Sequence, residues 1–469
     1  MSRWNPVYRT AVLEPDYRFA SEHLLPHFLN VLLAHAMGLE RVGTPHAADA
    51  IQGLRKMQGL CAPVYDPATE DLFFALDHAL YALSPTGAGA LRTGLSRNDL
   101  DMTVYRLHAR EQWLLAVQDL NALRSALLSL ATLELDTLIL AYTHHQPAQP
   151  TTLAHYLSAV ENVLSRDTAR LDGALTRLNL SPLGAVALAG SSHPLDRVYT
   201  SGLLGFDRPV ENTYDAVSTG DWQVELAGAL STCATTLSRL LYDLLNWAAQ
   251  GLITVADGLV QGSSVMPQKR NPVSLEHART RFSKALGYAQ AVVMCNHNVP
   301  FGDINDPGTD VQEPLMALWG EFRSGLALLT ASLGGLGIDR DGWAAQAQGS
   351  DAALTELADA LARLPGGDFR SAHAQAQTLM RSLTAQGRDL ASATDADLDA
   401  LGMPVPPGTA AAALDARRFV ERRTTLGGPA SGTVRTHLTF AAERLKSDQE
   451  RHLALGVRFS RTRLLETHL

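Results

Sequence analysis

Apolar residues recur every three or four positions over long stretches of the chain. The clearest stretch, LDMTVYRLHAREQWLLAVQDLNALRSALLSLATLEL at 100–135, places them at i, i+3, i+4 and i+7, the period of an amphipathic helix. It is far longer than the mean helix of about 11–12 residues. The same period predicts helices over 151–178, 214–250, 271–295 and 311–334. Because β-branched runs with a period of two are scarce, the pattern predicts an all-α fold.

Several of these predicted helices are apolar over more than one face. Such helices belong in the middle of a bundle or at a subunit interface rather than on the surface of a monomer. Turn-forming residues cluster at 84–99, and the breakers LPGGDF, GMPVPPG and LGGPASG interrupt the shorter helices near the C-terminus. We therefore predict three helical domains: an N-terminal domain at 1–97, a central long-helix bundle at 98–348 and a small C-terminal domain at 349–469.

Composition and charge narrow the class of protein. The chain has 469 residues, of which 46% are hydrophobic, and its net charge of -9 gives no electrostatic reason to expect nucleic acid or an anionic membrane as partner. The N-terminus lacks the apolar segment of a secretion signal, and the apolar stretches fall short of the roughly 20 residues of a membrane span. Cys61, Cys233 and Cys295 are odd in number and widely spaced, which favours a reducing compartment. We predict a soluble, cytoplasmic protein.

The stretch QGSSVMPQKRNPVSLEHART, at 261–280, is the first candidate for chemistry. Asn271 and Pro272 match a helix start, with asparagine as the N-cap and proline in the first turn. A surface connector explains that pair but not the clustering of Ser263, Lys269 and Asn271 on a short non-helical segment. A mobile loop of this kind can close over an anion and offer it an ammonium and an amide. Residue types alone leave both interpretations open.

A second candidate is LILAYTHHQPAQPTTLAHYL, at 138–157, where Thr143 and His144 follow an apolar run. His144, His145 and His155 raise the question of a metal, but no Asp, Glu or Cys lies nearby at ligand spacing, so we predict none. A histidine at the junction of a helix and a loop is more often a capping or packed residue than a catalyst. Its near-neutral pKa nevertheless keeps His144 a candidate acid or base.

A third candidate is RTGLSRNDLDMT, at 92–103, where a loop enters the longest predicted helix. An N-cap beside a solvated ion pair explains these residues in structural terms. In functional terms, Arg97 offers a planar fork for a carboxylate and Asn98 can bond a second oxygen. All three candidates are polar loops at the ends of long helices. Together they indicate a site for a dicarboxylate where helices of different chains meet.

These segments resemble the fumarase/aspartase superfamily. GSSVMPQKRNP is similar to its signature loop, and SRND, YTHHQPAQP, PLGAVALAG and LGFDRPVENTYDAVSTGD occur in the order and spacing seen in argininosuccinate lyases and delta-crystallins. DFRSAH and GGPAS resemble landmarks of the C-terminal domain, so the resemblance covers about residues 70–435. It implies a homotetramer with a central helix bundle, active sites assembled from three subunits, and no metal or organic cofactor.

The resemblance also implies a reaction: β-elimination at a C–N bond of an N-substituted succinate with release of fumarate, as in the cleavage of argininosuccinate to arginine. Ser263 would be the base that removes a proton next to a carboxylate, with Lys269 and Asn271 holding the developing negative charge. His144, oriented by Glu276, would act in the acid–base chemistry. The side chains that would grip the succinyl carboxylates are Arg97, Asn98 and Thr143.

The chain departs from the argininosuccinate lyase pattern where the leaving amine would bind. Leu100 replaces the glutamine that usually follows SRND, and Phe73 replaces a histidine. In the segment at 301–314, Gln312 corresponds to the family's glutamine, while the tyrosine and the lysine are missing. Three aspartates of this segment either meet a cationic leaving group or form a solvated turn: Asp303, Asp306 and Asp310. A paralogous lyase for another N-succinyl amine is therefore the alternative.

Two further alternatives are weaker on the same residues. An adenylosuccinate-type lyase is disfavoured by the SRND and PLGAVALAG segments and by the absence of a recognisable nucleotide-binding feature in the sequence. A catalytically silent relative kept as a structural protein, in the manner of some delta-crystallins, is disfavoured because the chain retains the whole catalytic set that the resemblance implies.

Overall fold

The computed structural model describes residues 4–58 and 62–461, and α-helices dominate this part of the chain. The α-helices are α1 (Pro6–Tyr8), α2 (Glu14–Phe19), α3 (Leu25–Arg41), α4 (Ala47–Lys56), α5 (Leu72–Leu83), α6 (Pro85–Leu91), α7 (Arg97–Leu133), α8 (Leu153–Leu178), α9 (Arg197–Leu203), α10 (Thr213–Ser218), α11 (Asp221–Ala249), α12 (Val273–Cys295), α13 (Gln312–Gly334), α14 (Arg340–Gln348), α15 (Leu354–Ala362), α16 (Phe369–Ala385), α17 (Asp395–Ala400), α18 (Thr409–Ala413), α19 (Ala416–Glu421) and α20 (Ser431–Ser460). The all-α prediction is confirmed.

Shorter elements connect the helices. The strands are β1 (Leu138–Thr143), β2 (Gln146–Thr152), β3 (Leu180–Ser181), β4 (Arg208–Pro209), β5 (Ile253–Thr254) and β6 (Gly337–Ile338), which pair as β1–β2, β3–β4 and β5–β6. Three turns are π-helical: Arg9–Leu13, Ala20–Leu24 and Asp306–Asp310. Three are 3₁₀-helical: Asp257–Leu259, Asp351–Ala353 and Leu390–Ser392. No helix within the described ranges is long and apolar enough to span a bilayer.

The five long helices lie where the apolar period predicts them, with one interruption. The stretch 214–250 forms α10 and α11 instead of one helix, with a break at Thr219 and Gly220. A Cβ added to Gly220 would lie 1.7 Å from Oδ1 of Asn296, so a larger residue here would force that side chain to move. The break thus lies at a close contact with a residue that is distant in sequence, and the helical period does not reveal such a contact.

The longest helix begins with a capping box. The Ser96 side chain accepts a hydrogen bond from the main chain of the first turn, and Asp99 Oδ1 accepts one from Ser96 N at 3.1 Å. These reciprocal bonds satisfy N–H groups that have no partner inside the helix. They fix the first residue of α7 at Arg97 and so determine where Arg97 and Asn98 point.

Helices α7, α8, α11, α12 and α13 pack around one large core that includes Trp113, Trp222 and Trp319, each fully buried. Each large apolar side chain buried in this way contributes about 1.5–3 kcal/mol. The core extends into the N-terminal segment and also takes in α20, whereas a second core joins buried residues between 357 and 414. We retain the three-domain division as a proposal, with α20 packed on the central bundle.

A buried ion network holds α20 against that bundle. Arg124 of α7 is fully buried, and its guanidinium lies 2.9 Å from Glu161 of α8 and 2.7 Å from Asp448 of α20. Removing either carboxylate would leave a buried charge without its full complement of partners, which is strongly destabilising. The network therefore fixes the register of three helices.

A β-hairpin, which the helical period did not predict, presents residues 138–152. Strands β1 and β2 pair from Leu138 and Thr152 at the buried base to Thr143 and Gln146 at the exposed tip. The two tip residues, His144 and His145, have φ of 52° and 60°. Two successive left-handed residues are typical of a type I′ turn, whose twist matches that of the strands. The hairpin thus holds His144 on a stiff support away from the core.

Candidate active site

A cavity of about 500 Å³ opens at the N-terminus of α7, where Arg97 and Asn98 line it. Arg97 is the only Arg or Lys among the described residues that line this cavity. Six carboxylates share the wall with it: Asp16, Glu70, Asp71, Asp101, Asp303 and Asp310. The cavity therefore carries a strongly negative field, and low-dielectric walls make such a field stronger.

Arg97 is held by carboxylates of the chain itself. Its Nη1 lies 3.1 Å from Glu70 Oε1 and 2.9 Å from Asp71 Oδ2, and its Nε lies 3.7 Å from Asp101. Burial opposes its charge, but these carboxylates outweigh that effect and raise the pKa of the guanidinium. Asn98 donates from Nδ2 to Asp303. In the free chain, Arg97 and Asn98 are thus engaged, and a substrate carboxylate would have to compete for them.

Two of these carboxyl groups have raised pKa values. Burial raises the pKa of Asp101 to about 7; Asp71 and Asp303 add to this effect, and Arg97 opposes it. Burial, reinforced by Asp310, raises the pKa of Asp16 to about 6. A cation entering the cavity would favour the ionised form of both groups. Perturbed carboxyls in a cleft are typical of functional sites.

All three π-helical turns in the described part of the chain border this cavity. Leu13 of the first, Leu24 of the second and Thr309 of the third are among the lining residues. A π-turn inserts one residue into a helix and is often found at functional sites. Asp16 lies between the first two turns and was not predicted from the sequence, because an inserted residue shifts the helical period and leaves no simple pattern.

The stretch 261–271 forms a loop closed at its base. Gln261 N donates to Asn271 O at 3.0 Å, and Asn271 N donates to Gln261 O at 2.9 Å. Inside the loop, Ser263 Oγ accepts hydrogen bonds from Val265 N at 3.2 Å and Met266 N at 3.0 Å. Two N–H groups aimed at one oxygen stabilise negative charge on it. The loop's own main chain therefore holds the Ser263 side chain in place and presents two donors to its oxygen.

The other predicted residues of this loop keep their side chains available. Lys269 is exposed, and its ammonium has no ion pair within the described ranges. The prediction that Asn271 caps the next helix is wrong: Pro272 occupies the N-cap and α12 begins at Val273. The main chain of Asn271 pairs with that of Gln261 instead, and the side-chain amide of Asn271 has no hydrogen bond to any described residue. Glu276 follows on the first turn of α12 and is exposed.

The hairpin tip forms a third group. Thr143 and His144 are both exposed, and His144 borders a cavity of about 790 Å³ together with Tyr242 of α11. His155 lies on α8 with its ring nitrogens bonded to Thr151 Oγ1 at 2.8 Å and Gly427 O at 3.0 Å. His155 is thus a packed histidine that ties α8 to the segment before α20.

Asp99, which the sequence places where a loop enters the longest helix, anchors the start of α7. It is fully buried, and its Oδ2 accepts a hydrogen bond from Gly184 N at 2.7 Å. The same loop holds Val186 at φ 55° and Leu188 at φ 88°, which is strained backbone for side chains of these types. In the sequence, the spacing between Ser96 and Asp99, which is that of a capping box, was the signal for this role of Asp99. Asp99 joins the start of α7 to the PLGAVALAG loop.

Gln312, the predicted contact in the 301–314 segment, lies beneath the cavity surface. It is 4% exposed, and its Nε2 donates to Gly308 O at 2.8 Å. Gly308 and Thr309 line the cavity, but Gln312 does not. Its contact in the free chain is with the π-turn that borders the site.

Within one chain, the predicted residues form three separate groups. The cavity beside Arg97 includes no residue of the hairpin tip or of the Ser263 loop, and the cavity beside His144 includes neither Arg97 nor Ser263. Among the described residues, no hydrogen bond joins His144 to Glu276 or to Ser263. The predicted residues of one chain therefore belong to separate cavities and loops rather than to a single site.

Comparison with known proteins gives a consistent family. The model of a family described as Lyase matches residues 78–287. Argininosuccinate lyase 2 of Agrobacterium fabrum is 36% identical over 82% of this chain and 78% of its own length. Argininosuccinate lyase of Methanoculleus marisnigri is 34% identical over 90% of this chain and 87% of its own. The crystal structure of EDDS lyase in complex with formate superposes with a TM-score of 0.86 at 26% identity, covering 99% of this chain and 95% of that one.

Proposed function

The chain belongs to the argininosuccinate lyase family of the fumarase/aspartase superfamily and is a carbon–nitrogen lyase, and we propose that it cleaves argininosuccinate to arginine and fumarate. The observation that carries the proposal is the loop at 261–271, where two N–H groups point at Ser263 Oγ. Lys269 and Asn271 lie on the same loop, and both side chains are available for substrate.

Ser263 begins the proposed reaction. As an alkoxide, its Oγ takes the proton from the carbon next to a succinyl carboxylate, and the electron pair moves into that carboxylate to give a doubly charged intermediate. The ammonium of Lys269 and the amide of Asn271 stabilise the added charge. The electron pair then returns to form the C=C bond of fumarate as the C–N bond breaks. His144, oriented by Glu276, gives a proton to the departing nitrogen.

A homotetramer is part of the proposal because these groups are separate in one chain. We infer that Arg97 and Asn98 of one subunit, Thr143 and His144 of a second, and the Ser263 loop of a third form each site. Exposed aromatic side chains on the bundle helices support an interface: Tyr242 is 53% exposed and Tyr288 37% exposed. We also place the enzyme in the cytoplasm, consistent with the free thiols of Cys233 and Cys295.

A second candidate function rests on the charge of the cavity beside Arg97. The arginine that leaves argininosuccinate carries an α-ammonium and an α-carboxylate. The six carboxylates in the wall attract the ammonium, whereas a carboxylate would find only Arg97, which Glu70 and Asp71 already hold. This composition favours a leaving amine that carries positive charge only. A paralogous lyase acting on an N-succinyl derivative of such an amine is therefore the alternative.

One pair of substrates separates the two functions. Argininosuccinate and its analogue with agmatine in place of arginine share the succinyl group, the guanidinium and the alkyl chain, and differ only in the α-carboxylate. Fumarate release is followed by ultraviolet absorbance with each. A higher kcat/KM for argininosuccinate supports the first function, and a higher value for the agmatine analogue supports the second. Release of fumarate from neither would overturn the first function.

A further inference from the structure

Three possible metal ligands converge where α3 packs on α7. His27 of α3 and His108 and Glu111 of α7 each offer one donor atom, and these three atoms all lie within 4.8 Å of one another. His27 Nε2 is 3.2 Å from Glu111 Oε2. Ligands at about 2.0–2.1 Å around a tetrahedral ion are separated by about 3.3 Å. One pair therefore already has the required spacing, and a side-chain rotation brings in the third.

The second observation concerns His108 alone. Its side chain is 7% exposed, and neither ring nitrogen has a hydrogen-bond partner among the described residues. Buried polar atoms without partners are uncommon in folded proteins and call for an explanation. An ion pair between His27 and Glu111 would explain why those two side chains lie close together. It would leave both ring nitrogens of His108 without a hydrogen-bond partner among the described residues.

Two other histidine rings lie beside the buried ring of His108. The His27 and His23 ring centroids lie 5.7 and 6.2 Å from that of His108. His23 does not belong to the group whose donor atoms lie within 4.8 Å of one another, so water would fill the fourth position.

We propose that His27, His108 and Glu111 bind a divalent transition metal of the zinc class. Two imidazoles and a carboxylate suit Zn²⁺, and they also suit Co²⁺ as a spectroscopic probe; an oxygen-seeking ion such as Mg²⁺ would not select them. The ion clips α3 to α7. On the same interface, Phe28 of α3 and Tyr105 of α7 line the cavity beside Arg97, so the clip stiffens one wall of that cavity.

Zinc titration of the full-length, untagged protein tests the proposal. Protein stripped with a chelator is titrated with ZnCl₂ in a calorimeter, and visible absorbance is recorded with Co²⁺. We expect one tight ion per chain, tetrahedral Co²⁺ bands and a higher melting temperature with Zn²⁺. His108→Ala and His27→Ala should each weaken Zn²⁺ binding roughly tenfold or more. His78→Ala, an exposed histidine of α5, should leave binding unchanged.

The result that overturns the proposal is equally specific. Either no zinc binding by the wild type, or binding that His108→Ala and His27→Ala leave unaltered, shows that these residues do not form the site. If circular dichroism shows that His108→Ala does not fold, His27→Ala and Glu111→Gln decide the matter. These two side chains are 15% and 38% exposed, so their replacement disturbs the packing less.

Discussion

Replacing Asp101 with asparagine should stabilise the protein at alkaline pH. Burial raises the pKa of this carboxyl from 3.8 to about 7, so the native state binds its proton more tightly than the unfolded chain does. The cost of ionising Asp101 in the folded state therefore lowers stability as the pH rises. This loss of stability is absent below a pH of 3.8, grows between 3.8 and about 7, and is complete above about 7. An amide of the same shape never carries the charge, so it avoids the penalty at every pH.

The size of the effect follows from the pKa. At about 1.36 kcal/mol per unit, the rise from 3.8 to about 7 sets a ceiling of roughly 4 kcal/mol. The Asp101 side chain is 19% exposed, and its 3.7 Å contact with Arg97 is lost in the variant. Both facts reduce the gain, so we expect on the order of 2 kcal/mol at pH 8. Arg97 keeps its closer contacts with Glu70 and Asp71.

Urea unfolding at one fixed protein concentration measures this effect. Wild type, Asp101→Asn and the control Asp399→Asn, an exposed position on α17, are compared at pH 8 and pH 5. The gain from Asp101→Asn should shrink markedly at pH 5, while the control stays near zero at both. A gain that does not change with pH, or a loss of stability at pH 8, would refute the argument that this carboxyl is held against its charge.

Three further predictions concern catalysis, assembly and stability. Ser263→Ala should lower kcat for fumarate release about 10²–10⁴-fold with little change in KM, while Ser264→Ala should retain activity; equal rates for Ser263→Ala and wild type would contradict its assigned role. Mixed and reassembled Ser263→Ala and His144→Asn subunits should recover activity that neither has alone, since some shared sites then contain both native residues; no recovery would argue against shared sites. Asp99→Ala should lower the free energy of unfolding by about 2–4 kcal/mol in urea, because it removes a helix cap and leaves Gly184 N without a partner; an unchanged midpoint would show that this anchor is dispensable.

Local pattern was enough to predict the long helices but not the hairpin between α7 and α8. Leu138 to Leu140 form an apolar run that is too short to distinguish a strand from a buried helix. The turn then requires left-handed backbone at His144 and His145, which histidine adopts only occasionally. Cross-strand pairing stabilises that conformation, and such pairing is a property of the folded chain.

The candidate site, too, could be predicted from the sequence only in part. Ser263, Lys269 and Asn271 are close in sequence, so their joint presentation on one loop could be predicted. Asp16 and Asp101 are far apart in sequence and converge only through the packing of the N-terminal segment on α7. The error about Asn271 has the same origin, because its main chain pairs with Gln261 across the loop instead of starting the helix.

The most direct test of the central claim is the yield of both products from one substrate. Purified wild-type protein is incubated with argininosuccinate, and fumarate and arginine are quantified together over time. Elimination catalysed by Ser263 predicts equal amounts of the two products from wild type and a rate for Ser263→Ala reduced by orders of magnitude. Arginine without fumarate, or undiminished fumarate from Ser263→Ala, would contradict it.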